Sequence, residues 1–334
     1  MKNFVRIFSF LGLIFALSMV IFGQTPTPTP TPPKVSDDDP TKTVEVRLPV
    51  AVNEKKKTNG KNLFVKGLTR GDFIVLEDGV PQEVTFFSDE KNNPSIFVGL
   101  LMDTSPSTAG KITFSKDTAK NFLYTALRLR KDKAAFMTFD NEVNLVQDFT
   151  DKQDLLSRAI DSVKKVGSQT ALYDAVWQFT DEKLRNAPGR RVIVVITDGE
   201  DTFSRAELSD AIDIAQRTET TIFAISTKAG FAGSVPGVDA GTVQDKRDKD
   251  LVRLCEETGG RAFFTGDQLA LERSFKLIQE ELTTQYILTY RPANQNYDGK
   301  DRKIEVRLTD PQKAKDSTMR FKNKYRALKD SIKQ

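Results

Sequence analysis

Between residues 95 and 284 the chain alternates short, almost wholly apolar runs with longer amphipathic stretches, and this alternation limits its fold more than any other feature. The strand candidates fall at 95–102, 134–139, 143–149, 191–197, 221–227 and 261–264, of which 143–149 is the least apolar. The amphipathic stretches fall at roughly 113–129, 152–163, 172–184, 205–216, 248–258 and 269–282. A strand that is apolar at nearly every residue must be covered on both faces, and helices between successive strands supply the cover. The pattern predicts an α/β domain with a mostly parallel sheet and helices on both faces. Residues 134–149, with Asp140-Asn141 at their centre, predict the one hairpin within that sheet. The sequence "SRAE" at 204–207 reads as a capping box opening a helix, and Gly259-Gly260 as a helix stop.

Strand patterns flank this block. In residues 43–92 "VEVRL" alternates apolar with charged, "TNGK" carries an Asn-Gly turn signal, and "FIVLEDGVPQEVTFF" reads as two strands around Asp78-Gly79. Residues 285–326 supply "QYILTYR", "RKIEVRL" and "MRFKNKYRA". Each flank is too short for a core of its own. They are expected to pack on each other or on the edge of the α/β domain, which occupies 93–284. Residues 327–334 read as a basic, solvated tail.

Residues 1–23 combine Lys2 and Arg6 with a charge-free run from 7 to 22 and a small residue, Gly23. That is the pattern of an export signal, with an uncleaved N-terminal anchor as the alternative. The run is shorter than the ~20 residues that span a bilayer comfortably. No cysteine follows it, so a lipid anchor on cysteine is excluded, and the remainder is expected outside the cytoplasm: secreted, periplasmic or at the cell surface. Residues 24–42 are a linker in which the Thr-Pro alternation of 25–33 predicts an extended spacer.

Composition then removes several kinds of chemistry. Histidine is absent, which excludes His-based triads and imidazole metal ligands. The single cysteine excludes an internal disulfide and a cysteine-cluster zinc site. Cys255 shares a helical face with Leu251 and Leu254 and reads as a buried core residue. With 50 Lys+Arg against 46 Asp+Glu, a net charge of +4 gives no case for nucleic acid as partner. A metal held by this chain must be held by oxygen.

In an open parallel sheet ligands gather outside the carboxyl ends of the strands. Three loops are expected there: "DTSPS" at 103–107, "GSQTALYDA" with Thr170 ahead of a helix, and "VVITDGEDTFS" with Asp198 after the purest apolar strand. They bring two carboxylates, Asp103 and Asp198, and three hydroxyls, Ser105, Ser107 and Thr170, to one region. A hard divalent cation seeks about six oxygens. Neutral hydroxyls leave such an ion electrophilic toward an incoming anionic oxygen. Any one of these residues alone would read as a helix cap, and only their joint presence points to a metal. Asp174 is expected to bond backbone or a loop, and Asp201 with Ser204 to order the loop. Neither is read as a ligand.

Enzyme patterns are poorly matched. A haloacid-dehalogenase-like phosphatase needs a second carboxylate two residues after its strand-end aspartate, and position 105 is serine. No GxGxxG or GxxxxGK phosphate cradle occurs. The glycine-rich 229–244 stretch reads as a flexible loop beside the metal face. A hydrolase would need metal-activated water with a carboxylate base.

Asp103-Thr104-Ser105-Pro106-Ser107, Thr170 and Asp198-Gly199 resemble the Asp-x-Ser-x-Ser…Thr…Asp pattern of the metal-ion-dependent adhesion site of von Willebrand factor type A domains. More narrowly, "GLTRGDFIVLEDGVPQEVTFF", "QTALYDAV", "ITDGEDTFS" and "QYILTYRP…DGKDRKIEVRL" resemble the VWFA-related family of Acidobacterial type, in the same order over about 43–326. The resemblance implies a Rossmann-like type A domain with its metal at the top of the sheet. It implies Mg²⁺, with Mn²⁺ or Ca²⁺ as alternatives. Ser105, Ser107 and Thr170 would then touch the ion directly or nearly so, and Asp103 and Asp198 often through water. Pro106 departs from the pattern, standing where the family often has glycine. It stiffens the loop and removes a backbone donor without removing a ligand. The expected activity is capture of a protein partner that presents a carboxylate, with contact to membrane only through an uncleaved N-terminus. A metal-assisted hydrolase and a scaffold with a vestigial metal site are the alternatives.

Overall fold

The structure, a computed structural model, describes residues 45–58, 61–128, 130–164, 167–198, 200–227, 246–265 and 268–327. Residues 1–23, read above as an export signal or anchor, the Thr-Pro linker, Gly199, the 229–244 stretch and the tail from 328 lie outside the described residues. Five strands come first: β1 (Val46–Thr58), β2 (Lys61–Phe64), β3 (Phe73–Glu77), β4 (Val80–Gln82) and β5 (Val84–Ser88). The central block runs β6 (Ile96–Asp103), α1 (Ile112–Ala126), β7 (Lys133–Phe139), β8 (Val143–Thr150), α2 (Gln153–Ser162), α3 (Leu172–Phe179) and β9 (Arg190–Thr197). It continues with α4 (Leu208–Arg217), β10 (Thr220–Ser226), α5 (Lys246–Glu256), β11 (Ala262–Phe264) and α6 (Gln268–Thr284). The chain then adds β12 (Tyr286–Tyr290), β13 (Asp301–Leu308), α7 (Pro311–Asp316), β14 (Ser317–Arg320) and β15 (Lys324–Arg326).

The central sheet has the order β11-β10-β9-β6-β7-β8, and only the β7–β8 hairpin is antiparallel. The alternation along the chain is resolved as two cores. Val98, Leu100 and Met102 of β6 pack with Phe122 of α1, Ile160 of α2 and Phe275 of α6. On the other face Leu101, Ile193 and Val195 pack with Val176 and Phe179 of α3, Ala211 of α4 and Leu254 and Cys255 of α5. Full burial of one such aromatic contributes about 1.5–3 kcal/mol. Gly99 in mid-strand is required by this packing, because a Cβ there would lie 2.1 Å from the Phe179 ring. From β6 the chain builds outward through β7 and β8, then returns to β9 on the opposite side. The connection therefore reverses between β6 and β9, and a crevice opens outside their carboxyl ends.

The flanking segments pack on each other. β1 pairs with β12, β14 and β2, and β12 also pairs with β5. A second sheet has the order β15-β13-β3-β4. Val46, Leu48 and Val50 of β1 meet Phe73 and Val75 of β3 and Ile304 and Val306 of β13 in one shared core. Two strand readings change. "FIVLEDGVPQEVTFF" is three strands: β3 turns into β4 through Asp78 (φ 49°) and Gly79 (φ 83°), and β5 then joins the other sheet. "MRFKNKYRA" likewise divides into β14 and β15, one in each sheet. Alternation shows which residues face a core but not which sheet supplies the ladder.

One further correction concerns α4. The helix opens at Leu208 with Glu207 as N-cap and Asp210 closing the box, one turn after the "SRAE" reading. Ser204 is used elsewhere: its hydroxyl donates to Asp201 Oδ1 (2.5 Å) and accepts from Asp174 N (3.0 Å). The glycine stop holds, with α5 ending at Glu256 and Gly259 at φ +85°.

At the amino ends of the central strands Arg190 is buried and donates to Leu282 O (2.7 Å) and to Gln285 Oε1. Asn93 Nδ2 donates to Gln285 O (3.1 Å), and Arg320 pairs with Glu281. Through these contacts the start of β9 grips the point where α6 runs into β12.

Candidate metal centre

Asp103 terminates β6 and is 3% exposed. Ser105 N donates to its Oδ1 (2.8 Å) and Thr197 Oγ1, at the end of β9, donates to its Oδ2 (2.7 Å). The side chain is thus fixed in the crevice between β6 and β9. Burial pushes its carboxyl up to about 6; the bonds from Ser105 and Thr197 oppose that rise, and the nearby charge of Asp198 adds to it. Pro106 starts a 3-10 turn over Pro106–Lys111 in which the Ser105 and Ser107 hydroxyls lie 3.1 Å apart. Thr108 Oγ1 closes the turn onto Ser105 O (2.8 Å).

Thr170 reaches the same end of the sheet without following a strand. Its loop joins α2 to α3, helices on opposite faces of the sheet, and so crosses over the strand ends rather than continuing a strand. Backbone bonds hold the crossing: Gly167 N to Thr104 O (2.9 Å) and Ala171 N to Asp140 O (2.7 Å). Gly167 must be glycine there, since a Cβ would stand 2.2 Å from Asp140 Cγ. Thr170 then exchanges bonds with Thr202 on the loop after β9: Thr170 N donates to Thr202 Oγ1 and Thr202 N to Thr170 O, both 2.9 Å. Thr170 is 4% exposed, and its hydroxyl makes no hydrogen bond among the described residues. Its oxygen is not one of the fully buried unpartnered atoms, so it meets the crevice surface, and a backbone-anchored hydroxyl placed there is free to ligate.

Asp198 is buried directly after β9, and Glu200 N approaches its Oδ1 at 3.4 Å. The structure thus brings Asp103, Ser105 and Ser107 together on one loop, sets Asp198 beside them electrostatically, and binds the Thr170 loop to both neighbouring loops by backbone. Asp201 and Asp174 stand where expected. Asp201 Oδ1 accepts from Leu172 N (2.8 Å) and caps α3, whose own N-cap Ala171 has no side-chain acceptor. Asp174 accepts from Arg205 N and Ala206 N.

The donor set suits a hard cation. The charge of Asp198 penalises an ionised Asp103, and a cation bound close to both would relieve that penalty. Among the described residues no group of three or more Asp, Glu, Cys or His side chains could hold a metal, so a centre here depends on hydroxyl oxygen. That donor chemistry fits Mg²⁺ or Mn²⁺ and offers nothing to a soft ion.

Four residues escaped the sequence reading. Lys111, four residues after Ser107, donates through Nζ to Thr227 O at the end of β10; burial lowers its ammonium pKa, and the Asp198 charge opposes that fall. Thr197, Asp140 and Thr202 orient ligand loops. Position in the sequence marks none of them, because each acts through residues distant in the chain.

A family model for the von Willebrand factor type A domain matches residues 98–277. Among solved structures, an aerotolerance-related membrane protein from Bacteroides fragilis aligns at 15% identity over 56% of this chain and 98% of its own, with a TM-score of 0.45. Proximal thread matrix protein 1 from the mussel byssus, solved with a zinc-occupied MIDAS motif, aligns at 15% identity over 62% and 49%, with a TM-score of 0.48. A von Willebrand factor type A structure from Catenulispora acidiphila aligns at 11% identity over 87% and 76%, with a TM-score of 0.47. No curated protein matches the chain.

Proposed function

This chain belongs to the von Willebrand factor type A domain family, and on that premise we propose that it is an exported, metal-dependent protein-binding module. Domains of this family are generally interaction modules rather than enzymes, and the site here is built for binding. In the proposal Ser105, Ser107 and Thr170 approach a divalent ion, Mg²⁺ by preference, while Asp103 and Asp198 balance its charge. The ion's open position takes a carboxylate of a partner protein. The Acidobacterial kinship suggested by the flanking motifs belongs to the same proposal.

The unpartnered Thr170 hydroxyl carries this reading. Held by its backbone and bonded to no described residue, this oxygen is open to an incoming ion. Capture of a partner from envelope extract should require Mg²⁺ and be abolished by chelator. Thr170→Val keeps the shape and removes the hydroxyl, and should weaken capture by roughly 1–3 kcal/mol, the scale of one polar contact in a desolvated site. Capture indifferent to chelator would instead favour a scaffold role for the flanking strands. Metal-dependent turnover that Asp198→Asn stops would favour a hydrolase.

Export is part of the proposal and rests on the charge and hydropathy pattern of residues 1–23. Cell fractionation with N-terminal sequencing should find the protein outside the cytoplasm, starting near Gln24 if the segment is removed. Soluble full-length chain in the cytoplasm would refute it, and a membrane-bound chain keeping Met1 would mark an anchor.

A further inference from the structure

The loops around the candidate metal centre expose mostly small or neutral side chains, with the charged Arg205 on the third loop and half-buried Lys111 and Glu200 beside them. Pro106, Ser107 and Ala109 on the first loop, Gln169 on the second and Thr202 on the third are exposed. One large apolar group stands among them. Phe203 is 49% exposed, and of the exposed large apolar side chains among the described residues it alone lies on a loop of the site. The others are on strands or helices elsewhere or, for Tyr297, on the loop before β13.

A single exposed phenylalanine is unremarkable on a loose surface loop. This one is held. Phe203 N donates to Thr170 O (3.0 Å), so its backbone sits one hydrogen bond from a proposed ligand. On its flanks Thr202 exchanges two bonds with Thr170, while Ser204 bonds both Asp201 and Asp174 N. The ring therefore projects from a backbone ordered before any partner arrives, so little conformational entropy is lost on contact. Rigid aromatic groups of this kind are the usual apolar anchors of protein interfaces.

Resting on the carboxylate-capture reading above, we propose that Phe203 is a specificity anchor of the same site. The segment it recognises places an aromatic or large aliphatic side chain next to the metal-seeking aspartate or glutamate. The ring gives such a segment apolar cover beside the ion.

The test uses full-length protein with Mn²⁺ as metal and two probes, N-acetyl-Asp-Gly-amide and N-acetyl-Asp-Phe-amide, together with the reversed N-acetyl-Phe-Asp-amide. Binding is read from Mn²⁺-induced broadening of the peptide proton signals. One of the phenylalanine peptides should bind about 3–10-fold more tightly than the glycine peptide. Phe203→Ala should erase that preference while leaving Mn²⁺ affinity and glycine-peptide binding unchanged, and Phe203→Leu should restore part of it. Equal binding of all three peptides to the natural protein, or a preference that survives Phe203→Ala, overturns the anchor and leaves carboxylate capture standing. Mn²⁺ binding with no peptide bound overturns both.

Discussion

Asp103→Asn should lose divalent-metal binding while keeping the fold. The natural protein, titrated with Mg²⁺ in a calorimeter, should give a saturable isotherm, and the variant a flat one. Asparagine retains an acceptor for Ser105 N and a group that can bond Thr197 Oγ1, so the strand end remains satisfied. What disappears is one of the two negative charges that hold the ion. Burial alone penalises an ionised carboxylate at this position, so the metal-free variant should be at least as stable as the natural protein at pH 7. A second readout separates metal from fold. Ligand that binds only the native state stabilises it by about 2.7 kcal/mol at a hundredfold excess over Kd. For a domain of this size that corresponds to a rise in Tm of roughly 5–10 °C. Saturating Mg²⁺ should produce that rise in the natural protein and none in the variant. An unchanged isotherm for Asp103→Asn would remove Asp103 from the site and with it the assignment of Asp198, Ser105 and Ser107.

The second large effect is one of stability. Arg190→Ala should cost about 2–5 kcal/mol, the scale for leaving two buried carbonyl acceptors without their donor. Arg190 is buried, and burial together with the nearby Arg128 charge pushes its pKa down to about 10, while the carboxylates of Asp132 and Glu281 oppose the fall. Its removal would strand Leu282 O and Gln285 Oε1 and loosen the junction where α6 becomes β12. Arg326, an exposed residue paired with Asp301, is the control and should change stability by less than about 1 kcal/mol when cut to alanine. Urea unfolding midpoints compare the two. Metal affinity of the folded Arg190→Ala protein should be unaltered, because the network lies at the amino ends of the strands and the candidate site at their carboxyl ends. A midpoint within experimental scatter of the natural protein would show that the junction is held by the apolar core instead.

Residues 95 to 284 declared their architecture in the sequence because burial on two faces leaves an unmistakable mark. Runs such as "RVIVVIT" tolerate no charge after the first residue, and their separation by helical periods leaves few topologies. The oxygen-rich strand end was legible for the same reason: Asp103, Ser105 and Ser107 break an apolar pattern at alternate positions. Thr170 and Asp198 could be placed only by resemblance and by the rule that ligands gather at carboxyl ends. The structure shows how they arrive, Asp198 along β9 and Thr170 by a crossing between two helices. Tertiary packing alone decided the rest. Which flanking strand joins which sheet depends on partners more than 200 residues away, as in the pairing of β1 with β12. Lys111, Thr197 and Phe203 matter through neighbours that chain order does not bring near. Local composition records whether a residue is buried; it holds no record of what it is buried against, since contact between distant segments is a property of the folded chain.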